Sequence, residues 1–119
     1  MFEKYHDEEE GLAILSKFSI RNTVFLYERE EFKYSVALHV SFEAEGMKFS
    51  LTNVHLPWDS VKKREEQIVA IDAFLHANQE ADFFLLLGDF NSDTGSGVDR
   101  FLRGEQTLNG AEANWTAFI

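Results

Sequence analysis

Cysteine is absent from this 119-residue sequence, and proline occurs once, at Pro57. The absence of thiols excludes disulfide bonds and thiolate metal sites. Basic residues are also scarce, because 11 Lys and Arg stand against 21 Asp and Glu, a formal net charge of −10. Phosphate-backbone binding needs clustered Lys and Arg, so this balance argues against a simple basic nucleic-acid-binding module. It does not exclude a metal-dependent enzyme acting on phosphate esters, because a bound divalent ion inverts the local charge.

Long apolar runs are absent as well. The longest covers residues 83–87 (FFLLL), far short of the ~20 residues that span a bilayer. The first ten residues, MFEKYHDEEE, are charged and do not resemble a signal peptide. We therefore predict a cytoplasmic protein without a membrane-spanning segment. Since 45% of the residues are hydrophobic and 12 are Phe, we expect residues 1–119 to form a single globular domain rather than a disordered chain.

Two adjacent segments predict an antiparallel hairpin. Residues 34–42 alternate, with Tyr34, Leu38 and Val40 on one face and His39 on the other, more polar face. Glu45-Gly46 then supplies a turn, and residues 47–55 continue as the second strand. Because His39 lies on the polar face, we expect it to be exposed to solvent.

The rest of the chain alternates between strand and helix patterns. Short strands are predicted at residues 11–16 and 23–27, and residues 82–88 (DFFLLLG) predict a strand buried on both faces. After Pro57, Asp59 or Ser60 can cap a helix over residues 61–78. Ser96 can cap a short second helix through residues 98–102. This order predicts a layered α/β sandwich with mainly antiparallel sheets.

An acid and an amide follow the apolar run. Asp89 and Asn91 are two residues apart, so in extended backbone their side chains point the same way, and Gly88 permits close backbone approach. A carboxylate can ligate a hard metal ion, orient a water or take its proton, and an amide can stabilise an oxygen that gains charge. The pair therefore suits phosphoryl transfer to water. A turn is the alternative, because both residue types bond their own backbone, and the pair alone favours it.

A histidine closes the other long strand. His55 ends residues 47–55, and strand ends are where sites often form. Its imidazole can donate a proton or a hydrogen bond to a phosphate oxygen. A surface or hydrogen-bonded structural histidine is the alternative interpretation of this residue.

Three blocks resemble the endonuclease/exonuclease/phosphatase superfamily, the metal-dependent phosphoesterases typified by pancreatic deoxyribonuclease. They are residues 10–18 (EGLAILSKF), 53–56 (NVHL) and 88–93 (GDFNSD), in the family's order. Arg64 and Gln67 also suit the family's spacing. The resemblance implies a four-layered α/β sandwich that hydrolyses phosphodiesters or phosphomonoesters, usually with magnesium.

The resemblance also implies roles for individual residues. Asp89 matches the aspartate that positions or activates the attacking water, and Asn91 matches the asparagine that stabilises the phosphorus centre. His55 matches the histidine that contacts the phosphate or assists the leaving group. The family's early Asn, its metal-binding Glu and its final Ser-Asp-His block have no counterpart in this sequence. The chain thus resembles the central part of the domain. This part would bind Mg²⁺ weakly at best. The residues that would ligate the ion are unknown.

Three hypotheses follow from this comparison. In the first, the chain is a partial phosphoesterase that is inactive when isolated. Catalytic groups that act as a unit lose nearly all of their activity when one of them is removed. In the second, it is a non-catalytic oligomerising or binding module, whose open faces are covered by a homo-oligomer or by complementary segments. In the third, it is an unrelated α+β binding domain in which residues 88–91 form a turn.

Overall fold

The computed structural model describes residues 2–4, 11–27, 35–78 and 80–113. The elements in chain order are β1 (Phe2–Lys4), β2 (Gly11–Ala13), β3 (Ile20–Tyr27), β4 (Ser35–Ala44), β5 (Met47–His55), α1 (Val61–Ala77), β6 (Phe83–Asp89) and α2 (Gly97–Leu102). Contacts within the chain divide it into two compact units. The first unit comprises Met1–His55 and Gln79–Asp89, and the second comprises Leu56–Asn78 and Phe90–Ile119.

The first unit contains two sheets. β1 and β2 form an antiparallel pair, and the larger sheet has the strand order β3-β4-β5-β6. The β3–β4 and β4–β5 pairs are antiparallel, whereas β5 and β6 run parallel. The predicted hairpin is confirmed, since Glu45 and Gly46 turn the chain with φ values of 51° and 77°, a pair of left-handed residues that matches the twist of the flanking strands. The predicted mixed α/β class with mainly antiparallel strands is also confirmed.

Part of one face of the larger sheet is covered by Leu12 of β2 and by Ile14, which follows β2. Leu38 and Val40 of β4 are fully buried, and Leu12 and Ile14 pack against them. The alternation predicted for β4 is therefore confirmed at these positions, while Tyr34 lies outside the described residues. The strand predicted at residues 11–16 is shorter than expected, because Ser16 forms a turn in which Phe18 N donates to Ser16 Oγ at 2.9 Å.

The opposite face of β4 and β5 buries polar groups. His39 is only 6% exposed, so the expectation that it faces solvent is wrong. The register places it beside Thr52, and its Nδ1 lies 2.8 Å from Thr52 Oγ1, which gives the buried ring a hydrogen-bonding partner. Burial disfavours the charged imidazolium and lowers the pKa of His39 below its ordinary value.

The prediction that β6 is buried on both faces is also wrong. Phe83, Leu85 and Leu87 are 48%, 46% and 43% exposed, whereas Phe84 and Leu86 between them are half-buried. The physical reason is that Leu12 and Ile14, which pack over this face, lie against Leu38 and Val40 of β4. In the part of the chain that the structure describes, β2 covers the β4 side of this face.

The second unit contains both helices at nearly their predicted positions. α1 begins after Ser60, whose Oγ accepts a hydrogen bond from Lys63 N at 3.2 Å, and it is followed by the C-cap Asn78. Ser96 caps α2 in the same way by accepting from Asp99 N. The apolar side chains that these helices bury are Ile68, Ile71, Leu75, Val98, Phe101 and Leu102.

Candidate active site

The carboxyl ends of β5 and β6 bring together two of the three predicted site residues. The parallel register pairs His55 with Asp89, the last residue of each strand. His55 Nε2 lies 3.9 Å from Asp89 Oδ2, and the two side chains are 35% and 64% exposed. This distance exceeds that of a hydrogen bond, so the two groups are neighbours without a direct bond between these atoms. The pair is open to a ligand from solvent.

Gly88 makes the approach of the two strands possible. Its φ is +132°, and a Cβ at this position would fall on the carbonyl oxygen of Val54 and 2.6 Å from the Val54 nitrogen. It would also lie 2.9 Å from Asn53 Oδ1. Only a residue without a side chain fits this position. The glycine in the 88–93 block therefore sets the spacing at which Asp89 lies next to His55.

Asn91 lies beyond the end of β6, in the second compact unit. The expectation of extended backbone through this residue is wrong, because its φ is 46°, a left-handed conformation that asparagine tolerates well. Its Nδ2 donates to the carbonyl oxygen of Leu56 at 2.7 Å. The amide therefore binds the residue that follows His55 in the sequence.

The segment after His55 is held by a second side chain. Arg64 Nη1 donates to the carbonyl oxygens of Pro57 and Trp58, both at 3.0 Å. Together with the bond from Asn91, side chains bind three consecutive carbonyls of residues 56–58. The sequence identified Arg64 only by its spacing, and the pattern contained no signal for these contacts, which depend on how α1 folds back on its preceding loop.

Gln67, which the sequence also identified only by spacing, is buried on α1. It is 4% exposed, and neither its Nε2 nor its Oε1 has a hydrogen-bond partner among the described residues. An unpaired buried amide costs free energy, so burial of the Gln67 side chain opposes folding at this position. Its burial on the helix follows from the same spacing as Ile68 and Ile71.

The described residues do not build a magnesium site. Within residues 2–4, 11–27, 35–78 and 80–113, no group of three or more His, Cys, Asp or Glu side chains is placed to hold a metal ion. Asp89 supplies one carboxylate next to His55. Since Mg²⁺ holds its waters tightly and needs several oxygen ligands, this pair alone does not fit the ion that the resemblance implies.

The family follows from comparison with known proteins. Residues 2–118 match the profile of the Endonuclease/Exonuclease/phosphatase family. Because the match covers nearly the whole chain, the chain belongs to this family, and the resemblance drawn from its three blocks is confirmed. A search of curated protein sequences gives no match.

Solved structures share its fold. A functionally unknown conserved protein from Enterococcus faecalis V583 is 31% identical with a TM-score of 0.51, over 56% of this chain and 27% of that one. Sphingomyelinase C from Streptomyces griseocarneus is 24% identical with a TM-score of 0.56, over 70% and 34%. A mutant beta toxin from Staphylococcus aureus with bound magnesium ions is 16% identical with a TM-score of 0.61, over 76% and 37%. The chain thus spans about a third of the length of these structures.

Neither α1 nor α2, the helices of the described residues, is long and apolar enough to cross a bilayer.

Proposed function

We propose that this chain carries part of the site of a phosphoesterase, a hydrolase of phosphate esters, with His55 and Asp89 at the reacting phosphate. The observation that carries the proposal is the 3.9 Å separation of His55 Nε2 and Asp89 Oδ2 at the carboxyl ends of two parallel strands. Membership of the Endonuclease/Exonuclease/phosphatase family supports the class of reaction.

The chemistry of the pair suits attack by water on a phosphate ester. The Asp89 carboxylate can orient a water and accept its proton, and the His55 imidazole can donate a hydrogen bond to a phosphate oxygen. Both side chains are accessible to such a substrate. For Asn91, a role in stabilising the charge at phosphorus comes from the family resemblance, and the hydrogen bond from its Nδ2 to Leu56 fixes the side chain in one orientation.

Magnesium enters this proposal through the resemblance alone. Since the described residues do not build its site, we route no step through the ion. We propose that the isolated chain binds Mg²⁺ weakly and hydrolyses phosphodiesters no faster than buffer, because the components of such a site act as a unit.

Phosphate binding tests the histidine–aspartate pair directly. Inorganic phosphate is titrated into the ¹⁵N-labelled chain at pH 6, and the ring resonances of His55 are followed. We expect a saturable shift in the wild-type chain, and His55→Gln should abolish the phosphate-dependent shifts of the neighbouring backbone amides. Asp89→Asn should tighten binding about fivefold, because it removes a negative charge that opposes the anion by about 1 kcal/mol.

A second His–Asp pair provides the matched control. His76 Nδ1 lies 3.4 Å from Asp72 Oδ2 on α1, so His76→Gln changes a similar pair at another place. We expect it to leave phosphate affinity unchanged. The proposal is wrong if the His55 resonances do not respond, or if Asp89→Asn weakens binding.

Turnover provides the test of inactivity. Hydrolysis of bis(p-nitrophenyl) phosphate is measured for the chain and for Asp89→Ala, with Mg²⁺ and with a chelator. We expect equal rates, at the level of buffer. Magnesium-dependent turnover that Asp89→Ala removes would show instead that this chain is an active enzyme.

A non-catalytic oligomerising or binding module is the second candidate function. The observation that favours it is the exposed apolar face of β6, because apolar surface of this kind marks contact sites. Retained phosphate affinity distinguishes the two candidates, since a module that keeps only the fold does not need an anion site.

A further inference from the structure

One side chain of the larger sheet joins the three sequence blocks that carry the family resemblance. Asn53 begins the second block and lies in β5, two residues before His55. Its Nδ2 donates a hydrogen bond at 3.3 Å to the carbonyl oxygen of Ala13, in the first block. A Cβ at Gly88, which begins the third block, would lie 2.9 Å from Asn53 Oδ1. The Asn53 carboxamide therefore lies between the first block and the third.

Asn53 lies on the same face of the sheet as the His55–Asp89 pair. Side chains two residues apart on a strand share a face, so Asn53 and His55 project to the same side. The parallel register places Asn53 beside Leu87 and His55 beside Asp89. The half-buried Asn53 side chain thus lies one step along the two strands from the pair.

The acceptor that Asn53 binds is held in place by the hydrophobic core. Ala13 is the last residue of β2, and its neighbours Leu12 and Ile14 pack on buried side chains of β4. The antiparallel register also pairs Asn53 with Leu38, which is completely buried. A packed neighbour and a fixed hydrogen-bond acceptor together restrict the conformation of the Asn53 side chain.

Asp89 follows a residue that cannot fix its own conformation. Gly88 has a φ of +132°, which glycine adopts readily and other residues rarely do. Because glycine has no side chain, its neighbours must restrict its backbone, and the direction of the Asp89 carboxylate depends on that restriction. The Val54 backbone and Asn53 Oδ1 both lie where a side chain of residue 88 would project.

We propose that Asn53 is a positioning residue, whose carboxamide, anchored on Ala13, restricts Gly88 and so holds the Asp89 carboxylate beside His55. The inference rests on the proposed function, because that proposal places the reacting phosphate at the His55–Asp89 pair. Asn53 itself need not touch the phosphate. All of the contacts that support its role lie within the first compact unit. Removal of the side chain should let Asp89 move away from His55 without unfolding the sheet.

A double-mutant cycle on phosphate affinity tests this role. Inorganic phosphate is titrated into the ¹⁵N-labelled chain of 119 residues, and the ring resonances of His55 report binding. Asp89→Asn should tighten binding about fivefold in the otherwise wild-type chain, because it removes a nearby negative charge. In Asn53→Ala the same substitution should tighten binding only about twofold, since doubling the distance of a charge halves its Coulomb energy.

Asn22→Ala is the matched control, because Asn22 Nδ2 donates to Ser41 Oγ at 2.9 Å, between β3 and β4 of the same sheet. Each variant replaces a strand asparagine with alanine and removes one side-chain hydrogen bond. Both should lower the urea midpoint by about 0.5 M. Only Asn53→Ala should change the effect of Asp89→Asn, which separates positioning from a general loss of stability.

A second substitution, Asn53→Leu, tests the hydrogen bond separately from the bulk of the side chain. Leucine keeps most of the volume over Gly88 but cannot donate to the carbonyl oxygen of Ala13. The effect of Asp89→Asn on phosphate affinity should therefore fall as it does in Asn53→Ala. An undiminished effect in Asn53→Leu would overturn the role assigned to the carboxamide.

The other outcomes distinguish this inference from the proposed function. An undiminished effect of Asp89→Asn in Asn53→Ala would overturn the positioning role and leave the phosphate site intact. An effect that falls equally in Asn22→Ala would overturn it as well, because the loss would not be specific to Asn53. A wild-type chain whose His55 resonances do not respond to phosphate would instead overturn the proposed function, and this inference with it.

Discussion

The β4 side and the β6 side of the larger sheet differ in how deeply their side chains are buried, although both sides are apolar on the same face. Leu38 of β4 is completely buried, with Leu12 and Ile14 packed over that part of the sheet. Leu85 of β6 has the same side chain but remains 46% exposed. The difference shows that an apolar sequence specifies a surface to be covered, whereas a second layer determines how much of it is covered.

The two sides also depend on different contacts. On the β4 side, side chains from two sheets interdigitate. At the end of β6, the backbone itself comes so close to β5 that Gly88 has no room for a Cβ. We therefore expect side-chain truncation to be costly on the first side and side-chain addition to be costly on the second.

Adding a methyl group at Gly88 should have the largest effect. Gly88→Ala combines a collision with the Val54 backbone and a φ of +132° that L-residues rarely adopt, and we expect a loss of about 4 kcal/mol of unfolding free energy or failure to fold. Urea denaturation at fixed protein concentration measures it. Gly46→Ala is the control, because Gly46 has a φ of +77° but nothing within 4 Å, and it should cost about 1 kcal/mol. Equal costs would mean that the close strand approach is unimportant.

Truncation of the two leucines addresses the comparison most directly. Leu38→Ala should cost about 3 kcal/mol, because it leaves a cavity under β2. Leu85→Ala should cost less than about 1 kcal/mol when measured on the dilute chain, since almost half of the side chain is already in water. Both values come from the same denaturation experiment. A large cost for Leu85→Ala under these conditions would mean that β6 is covered in solution.

Acid should weaken the fold modestly through His39. Burial lowers its pKa in the folded state below the unfolded value of 6.5, so below pH 6.5 the unfolded chain binds a proton that the folded chain does not. Stability from this group is complete above pH 6.5 and is lost as pH falls toward the lower folded pKa. His39→Gln should flatten the fall in stability between pH 7 and 5. If this variant keeps the wild-type slope, His39 does not titrate as its burial requires.

The local pattern predicted the elements well. The hairpin, the helix over residues 61–78 and the cap at Ser60 are confirmed, because turn residues, helical spacing and N-cap hydroxyls act within a few residues of chain. The sequence predicted that His55 and Asp89 each lie at the end of a strand, and this made it possible to expect them close together. The parallel register that makes them neighbours involves residues 34 positions apart, and no local pattern encodes it.

The wrong predictions share one cause. His39 was expected to face solvent, but it is buried. Residues 82–88 were expected to be buried on both faces, but one face of this strand is exposed. The periodicity of a strand shows which side chains share a face. It does not show which face packs against another layer of the structure. The left-handed backbone at Asn91 was missed for a related reason, since its conformation accompanies a hydrogen bond to Leu56, far away in the sequence.

The single domain, the cytoplasmic location and the catalytic roles of Asp89, Asn91 and His55 stay predictions. The resemblance to the family was drawn from three short blocks of sequence, and the family profile matches residues 2–118. Only the packing of distant segments decided three other features. They are the strand order that places His55 beside Asp89, the backbone contact that requires Gly88, and the exposure of β6. Hydrogen bonding and burial between strands are long-range properties, so they emerge from the assembled sheet rather than from any one segment.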